Sequence, residues 1–364
     1  MSASPRIGFL GPAPLTNGST VAARFAAHLT GRADGATACE MRGYDTHQEV
    51  IDAKARGEVD YGIIAVENTL DSFITESIRE IERLFEQDLP TRPHLCWEEL
   101  LPIRHLFIHQ TGDLRQVTKI ASHQSALRQC SRFLRAVRKA FPHIEIVQAK
   151  STGAAVQDAL ANPGVAAIAS EEAAAATAGK LIEVNLDAAR QNNALEWDDP
   201  QWITDFRNGM TRFWVLGDAP MQQIHGRSFM TTVKDSAGQI VGTVDHSWQK
   251  TCVLLNLPNK RGTLHEALRV FDKHGTFLSI IHPYPRLMVS FEYLFFAEVE
   301  GHCDDPSIKA AVAELNRHHM NHNERERPCI VLGSYPNTIL LNQHRAQRDA
   351  FRRESYPAEM GWKD

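Results

Sequence analysis

Apolar and polar positions follow two rhythms along this chain. From the start to about residue 217, short apolar runs alternate with stretches whose apolar residues recur every three or four positions, which predicts strands alternating with helices. RIGFLG reads as a strand ending in a Gly-Pro turn, and DYGIIAVEN as another. TESIREIERLF follows, with Ile74, Ile78, Ile81, Leu84 and Phe85 on one helical face. HLFIH and KIAS read as strands, SALRQCSRFLRAVRKAF as one helix, IEIVQA as a strand and TGAAVQDAL as a helix. GVAAIAS is a strand leading into a helix EEAAAATAG that closes at Gly179, a residue suited to a C-cap.

The second rhythm begins after residue 217. SFMTTVKDSAGQIVGTV has two β-rich arms around Asp-Ser-Ala-Gly, the pattern of a hairpin. From Lys250 onward TCVLLNLP, GTLHEALRVFDKHG, FLSIIH, YLFFAEVEG, PSIKAAVAELNRH and CIVLGSYP give the order βαββαβ. The expected divisions are an α/β part over 6–217, a linker with the hairpin over 218–249, a βαββαβ part over 250–338 and a polar tail over 339–364.

Bulk composition narrows the function classes. With 364 residues, 43% hydrophobic and 23% charged, the chain is of ordinary globular make-up and long enough for two or three domains. Its formal charge of −5 gives no electrostatic case for nucleic acid or an anionic membrane. Cys39, Cys96, Cys130, Cys252, Cys303 and Cys329 follow no zinc or C-x-x-C spacing and read as reduced thiols of a cytosolic protein. The first residues hold too short an apolar stretch for a secretion signal, and no run of 18 apolar residues occurs.

Candidate chemistry sits where strands end, the usual place for ligands in open α/β sheets. In FRNGMTRFWVLGD a hydroxyl and a guanidinium, Thr211 and Arg212, stand at the mouth of an apolar strand. Thr211 also suits an ordinary strand start; Arg212 can grip a substrate carboxylate or pair with Asp205 or Glu67. Glu67 and Asn68 end another strand, where Asn68 can donate two N–H groups or the pair can cap the next helix. Ser122 ends a strand and opens a helix, and Ser151 and Thr152 precede GAAVQDAL, so each hydroxyl can cap a helix or face an anion. His318, His319 and His322 have helical metal spacing but no organised acidic or cysteine partners, so a solvated helix end is the better reading and no metal is expected.

Eight segments in order, GFLGP, VENT, SHQSALRQC, STGAA, TRF, LPNKRGTLHEAL, YLFFAEVEGH and VLGSYP, resemble the prephenate dehydratase family with a C-terminal ACT regulatory domain, over roughly residues 6–336. The resemblance implies an α/β catalytic part of two lobes like a type 2 periplasmic binding protein, followed by a ferredoxin-like ACT domain. It implies a lyase that turns prephenate, a small dicarboxylate, into phenylpyruvate, with no cofactor, in a homodimer or homotetramer. Thr211 then matches the donor to the departing hydroxyl, with Glu67 and Asn68 beside it. Ser122, Gln129, Ser151, Thr152, Arg212 and Phe213 match substrate-binding positions. Gly262, Thr263, Leu264 and His282 fall where the regulatory site is expected.

The chain also departs from the family pattern. Its first loop, GPAPLTNGSTVAA, is longer and lacks the aromatic, with Ser19 and Thr20 as substitute hydroxyls at the helix start. QNNALEWDDPQWITDFRNGM is extended and brings in Trp197 and Trp202, the composition of a lid. His282-Pro283-Tyr284-Pro285 replaces the Glu-Ser-Arg-Pro motif associated with phenylalanine binding, which speaks against phenylalanine feedback. Two alternatives to a dehydratase follow: a paralogue that decarboxylates a related cyclohexadienyl acid without aromatisation, and a non-catalytic amino-acid sensor.

Overall fold

The computed structural model describes residues 4–11, 16–31, 34–70, 72–86, 92–187, 195, 197, 202–207, 209–219, 230–234, 240–245, 249–286, 292–318 and 328–336. It divides into two compact units, one of residues 1–83 and 99–213, the other of 84–98 and 214–364. His319, His322, Trp202's neighbours 198–201 and the polar tail lie outside the described residues.

The first unit contains two α/β lobes. In the first lobe β1 (Arg6–Leu10) pairs in parallel with β2 (Glu40–Tyr44) and β3 (Tyr61–Asn68). Helices α1 (Asn17–Thr30) and α2 (His47–Ala55) bury Val21, Phe25, Val50 and Ile51 beside Ile7, Phe9 and Ile63. The short β4 (Ser72–Phe73) folds back antiparallel on the end of β3, and α3 (Thr75–Glu86) is tied to that strand by the Ser77 hydroxyl, 2.6 Å from the Ala65 carbonyl. The start of α1 differs from expectation. Thr16 is the cap, in a reciprocal capping box with Ser19, while the Ser19 and Thr20 hydroxyls turn back onto the Thr16 carbonyl.

The second lobe is a sheet ordered β10-β6-β9-β7-β8, built from β6 (His105–His109), β7 (Lys119–Ser122), β8 (Glu145–Gln148), β9 (Val165–Ser170) and β10 (Ile182–Glu183). Its apolar runs are continuous because both faces are covered. Phe107, Ile120, Ala166 and Ile168 pack on Phe133, Leu134 and Val137, whereas Leu106, Ile108, Ala121 and Ala167 pack on Ala155, Val156 and Ala159. The helical pattern over 125–141 is not one helix. It breaks at Cys130 (φ −112°, ψ 26°) into α4 (Gln124–Gln129) and α5 (Ser131–Ala140). α6 (Thr152–Ala161) forms as expected, but α7 (Glu171–Ala175) ends well before Gly179, which lies in a following turn at φ +78°.

β5 (His94–Pro102) and β11 (Met210–Gly217) each include residues of both units. In the second unit β12 (Met230–Lys234) and β13 (Ile240–Asp245) pair antiparallel. Then come β14 (Gln249–Leu255), α8 (Thr263–Lys273), β15 (Leu278–Pro285), β16 (Tyr293–Glu300), α9 (Pro306–His318) and β17 (Cys329–Pro336). The strands lie side by side as β15-β16-β14-β17, the ferredoxin-like order, with the two helices packed on Val253, Leu255, Ala297 and Val299. Gly333 sits at φ +154° in a bulge opposite Cys252, and a Cβ there would fall 2.1 Å from the Leu95 carbonyl oxygen, so no other residue fits.

On the face of that sheet opposite Val253, Lys250 is fully buried between two carboxylates. Its Nζ is 2.8 Å from Glu98 Oε2 and 2.9 Å from Glu298 Oε2, and the Tyr335 hydroxyl donates to Glu298 Oε1 at 3.0 Å. A charge this far from water is tolerated only when paired, and removing one partner leaves the others stranded. Lys250→Met is therefore expected to lower stability by about 3–5 kcal/mol, read as a shift of the urea midpoint; an unchanged midpoint would contradict this account.

A second expectation concerns pH. His47 opens α2, is 4% exposed, and burial pushes its pKa down to about 4 from 6.5. Between those values the unfolded chain binds a proton that the folded chain refuses. The stability held by neutral His47 is thus complete above pH 6.5 and is lost as pH falls to about 4, by about 3 kcal/mol in all. Comparing unfolding free energies of wild type and His47→Leu at pH 7 and pH 4.5 isolates this share, and the variant should show the smaller loss.

Candidate active site

The site grows out of the end of β3. Its last residue, Asn68, turns its side-chain oxygen back to accept from the Leu70 backbone N–H at 2.9 Å, shaping the tight return into β4. That choice leaves the carboxamide NH2 pointing away from the turn, and among the described residues nothing accepts from it. Ser72, at φ +72°, completes the reversal in a conformation that costs a non-glycine residue energy.

β11 lies beside β3. The Thr69 backbone N–H donates to the Met210 carbonyl at 2.9 Å, and the Met210 N–H donates to the Thr69 hydroxyl at 2.8 Å. Two residues further along each strand, Arg212 Nη1 is 3.3 Å from Glu67 Oε2. Contacts at 69–210 and 67–212 run in opposite chain directions, so the pairing here is antiparallel and residue 68 falls across from residue 211. Glu67 and Arg212 share one face of the pleat; Asn68 and Thr211 share the other.

Arg212 is 3% exposed and Thr211 7%, with Phe213 also buried. The guanidinium chooses Glu67 rather than Asp205. Asp205 instead caps α5, accepting from the Ser131 hydroxyl at 2.7 Å and the Arg132 N–H at 2.9 Å. Among the described residues the Thr211 hydroxyl meets no hydrogen-bond partner. Thr211 and Asn68 thus present two uncommitted donors side by side, the arrangement suited to an oxygen atom that gains charge or leaves.

In the second lobe Ser122 does not open the helix that follows it, whereas Ser151 does. Ser122 ends β7, but His123 caps α4, and the buried Ser122 hydroxyl donates to the Ile168 carbonyl at 2.6 Å. Its proton is spent on the lobe's own backbone because that carbonyl has no water to bond. Gln129 is also buried, with Oε1 2.8 Å from His105 Nε2 and Nε2 3.2 Å from the Ser125 hydroxyl. Burial lowers the His105 pKa, opposed in part by Gln129, so a neutral ring with its Nε2–H donating to Gln129 is favoured. Ser151 caps α6, its hydroxyl accepting from the Ala154 N–H at 3.0 Å, with Thr152 as the first helical residue.

The extended segment before β11 is stapled to the second lobe. Leu195 and Ile203 are buried in its core, and Trp197 packs edge-on against Phe133 at 5.5 Å with its indole N–H donating to the Trp202 carbonyl. In the second unit Gly262, at φ +90°, starts α8, the Thr263 hydroxyl donates to the Lys260 carbonyl, Leu264 packs on the helix-side core, and His282 stands opposite Phe296. Among the described residues His302, Cys303 and Asp304 offer metal-type atoms within 4.8 Å of one another. Two of them are already engaged, since Asp304 pairs with Lys309 at 2.9 Å and its N–H donates to His302 Nδ1 at 3.1 Å.

Sequence reading alone missed Thr69 and His105. Thr69 lies inside VENT, and a hydroxyl directly after a strand-ending Asn was the available signal. His105 carried none, because its role depends on Gln129 arriving from a distant helix.

Comparison with known proteins identifies the family. The family model for prephenate dehydratase matches residues 7–194. Prephenate dehydratase of Bacillus subtilis is 30% identical over 85% of this chain and 93% of its own length. The bifunctional chorismate mutase/prephenate dehydratase of Aquifex aeolicus is 27% identical over 77% of this chain, which spans 62% of that longer protein. In fold, the chain is similar to a prephenate dehydratase from Arthrobacter aurescens solved with L-Phe, with a TM-score of 0.62 and 21% identity over 92% of this chain and 90% of that one. A family model spanning both lobes and a relative 30% identical over most of both chains lead to one conclusion: the chain belongs to the prephenate dehydratase family.

Proposed function

We propose that the chain converts prephenate to phenylpyruvate, carbon dioxide and water, with Thr211 and Asn68 at the reacting end of the substrate. The carrying observation is the pair of uncommitted donors on one face of the β3–β11 seam, backed by the Arg212–Glu67 pair on the other. In the reaction the bond to the ring carboxylate breaks, its electrons complete the aromatic ring, and hydroxide leaves from the opposite ring carbon. One proton taken up overall turns that hydroxide into water.

Thr211 donates its hydrogen bond to the departing oxygen, where negative charge accumulates. A threonine hydroxyl is a poor acid, so its use requires placement and a dry setting rather than acidity; the residue as a whole is 7% exposed. Asn68 supplies N–H groups to the same region of the substrate. Glu67, held by Arg212, carries a fixed charge behind the seam, and Arg212 acts mainly through that pair rather than as a free carboxylate clamp. Phe213, two residues further along β11 and so on the same face as Thr211, is buried beside the donors. For the far carboxylate, the backbone N–H groups in the first turn of α6, capped by Ser151, offer an anion-binding end. Ser122 and Gln129 support this lobe from within.

The C-terminal βαββαβ part is read as an ACT regulatory domain, in which the left-handed Gly262 and the first turn of α8 form the turn that would face an amino-acid effector.

Purified protein mixed with prephenate should release phenylpyruvate, seen as its enolate in alkali, together with an equal amount of carbon dioxide. Carbon dioxide without the aromatic product would instead favour decarboxylation alone. Thr211→Val should lower kcat by about 10²–10⁴ while leaving KM little changed. A variant with undiminished kcat removes Thr211 from the chemistry.

A further inference from the structure

We propose that Thr69 is a positioning residue for Thr211, acting through the backbone of Met210. This rests on the dehydratase reading above and adds a residue to it.

At the end of an antiparallel ladder, a residue pair normally exchanges two backbone bonds, N–H to carbonyl in each direction. Here only one is of that kind, from the Thr69 N–H to the Met210 carbonyl. In the other direction the Met210 N–H donates to the Thr69 hydroxyl at 2.8 Å instead of to a backbone carbonyl. The reason lies in the chain's course. Asn68 has already turned its oxygen onto the Leu70 N–H, so the backbone is leaving the plane of the sheet at Thr69. A side-chain oxygen then closes the last rung.

That rung is adjacent to both donors, because Met210 precedes Thr211 and Thr69 follows Asn68. On the upstream side of Met210, the Gly209 carbonyl accepts from the Ile103 N–H at 2.8 Å, and a Cβ on Gly209 would press within 3.2 Å of Leu70. The entry to β11 is thus held by Ile103 at residue 209, by Thr69 at residue 210 and by the Glu67 pair at residue 212. Without the Thr69 hydroxyl, the middle support loses its acceptor and the Met210 amide must find water. The Thr211 hydroxyl then shifts relative to the Asn68 carboxamide. Displacements of about 1 Å at a reacting centre cost up to about 100-fold in rate.

Thr69→Val removes the oxygen but keeps the branched shape; Thr69→Ser keeps the oxygen and trims a methyl. With prephenate as substrate, Thr69→Val should lower kcat by about 10- to 100-fold with KM little moved, and Thr69→Ser should restore most of it. Amide hydrogen exchange at Met210 should quicken in the valine variant and not in the serine one. Thermal unfolding of both variants confirms that the comparison is made on folded protein. Wild-type kcat in Thr69→Val overturns the proposal, as does an equal loss in the serine variant. If the wild-type protein itself forms no phenylpyruvate, the dehydratase reading falls first, and the catalytic role of Thr69 falls with it.

Discussion

The ion pair between Arg212 and Glu67 sets the geometry on which the candidate site depends. A guanidinium at 3% exposure cannot stay there unpaired, so its carboxylate must arrive on the same face of the neighbouring strand. Once those two side chains meet, the period of two along a strand sends Asn68 and Thr211 to the opposite face. A slip of one residue would put Arg212 beside the uncommitted donors and break the pair. Register and face are therefore tied to one partly buried contact.

Around that seam, the polar side chains fall into two groups. Ser122, Gln129, Ser151 and Asp205 serve the protein's own backbone or its neighbours, satisfying a carbonyl, a ring nitrogen, a helix N–H or a helix start. Such commitments are required wherever strand ends and helix starts are removed from water. Thr211 and the amide nitrogen of Asn68 stand apart because, among the described residues, no protein group meets them. A conformational cost accompanies this arrangement at Ser72, whose left-handed backbone lets the chain turn away immediately after the donors.

The second unit solves a different problem with the same physics. Helices cover one face of its sheet, and the opposite face contains Lys250 between Glu98 and Glu298. Because Glu98 belongs to β5 and Glu298 to β16, the lysine links strands that approach from distant parts of the sequence. Lys250 is the second residue of a strand whose next residues, Thr251 to Leu255, are all buried, and this burial leaves its charge no route to solvent.

Periodicity was enough to predict the α/β alternation, the βαββαβ order and most individual elements, because both depend on which local positions are apolar. Ordered short motifs carried the family resemblance and pointed to Glu67, Asn68 and Thr211 at strand ends. Partners were not legible. Arg212 had two equally plausible carboxylates, and only the register of β3 against β11 selects Glu67, leaving Asp205 to cap α5. The helix over 125–141 had continuous apolar spacing, yet it breaks at Cys130 as α4 gives way to α5, whose start Asp205 holds. Local pattern reports what each segment tends to become, whereas hydrogen bonds between residues such as 69 and 210 exist only after the chain has brought them together. The sequence by itself thus determined the elements and the candidate residues; tertiary structure decided which of those residues were consumed in holding the fold and which remained available for chemistry.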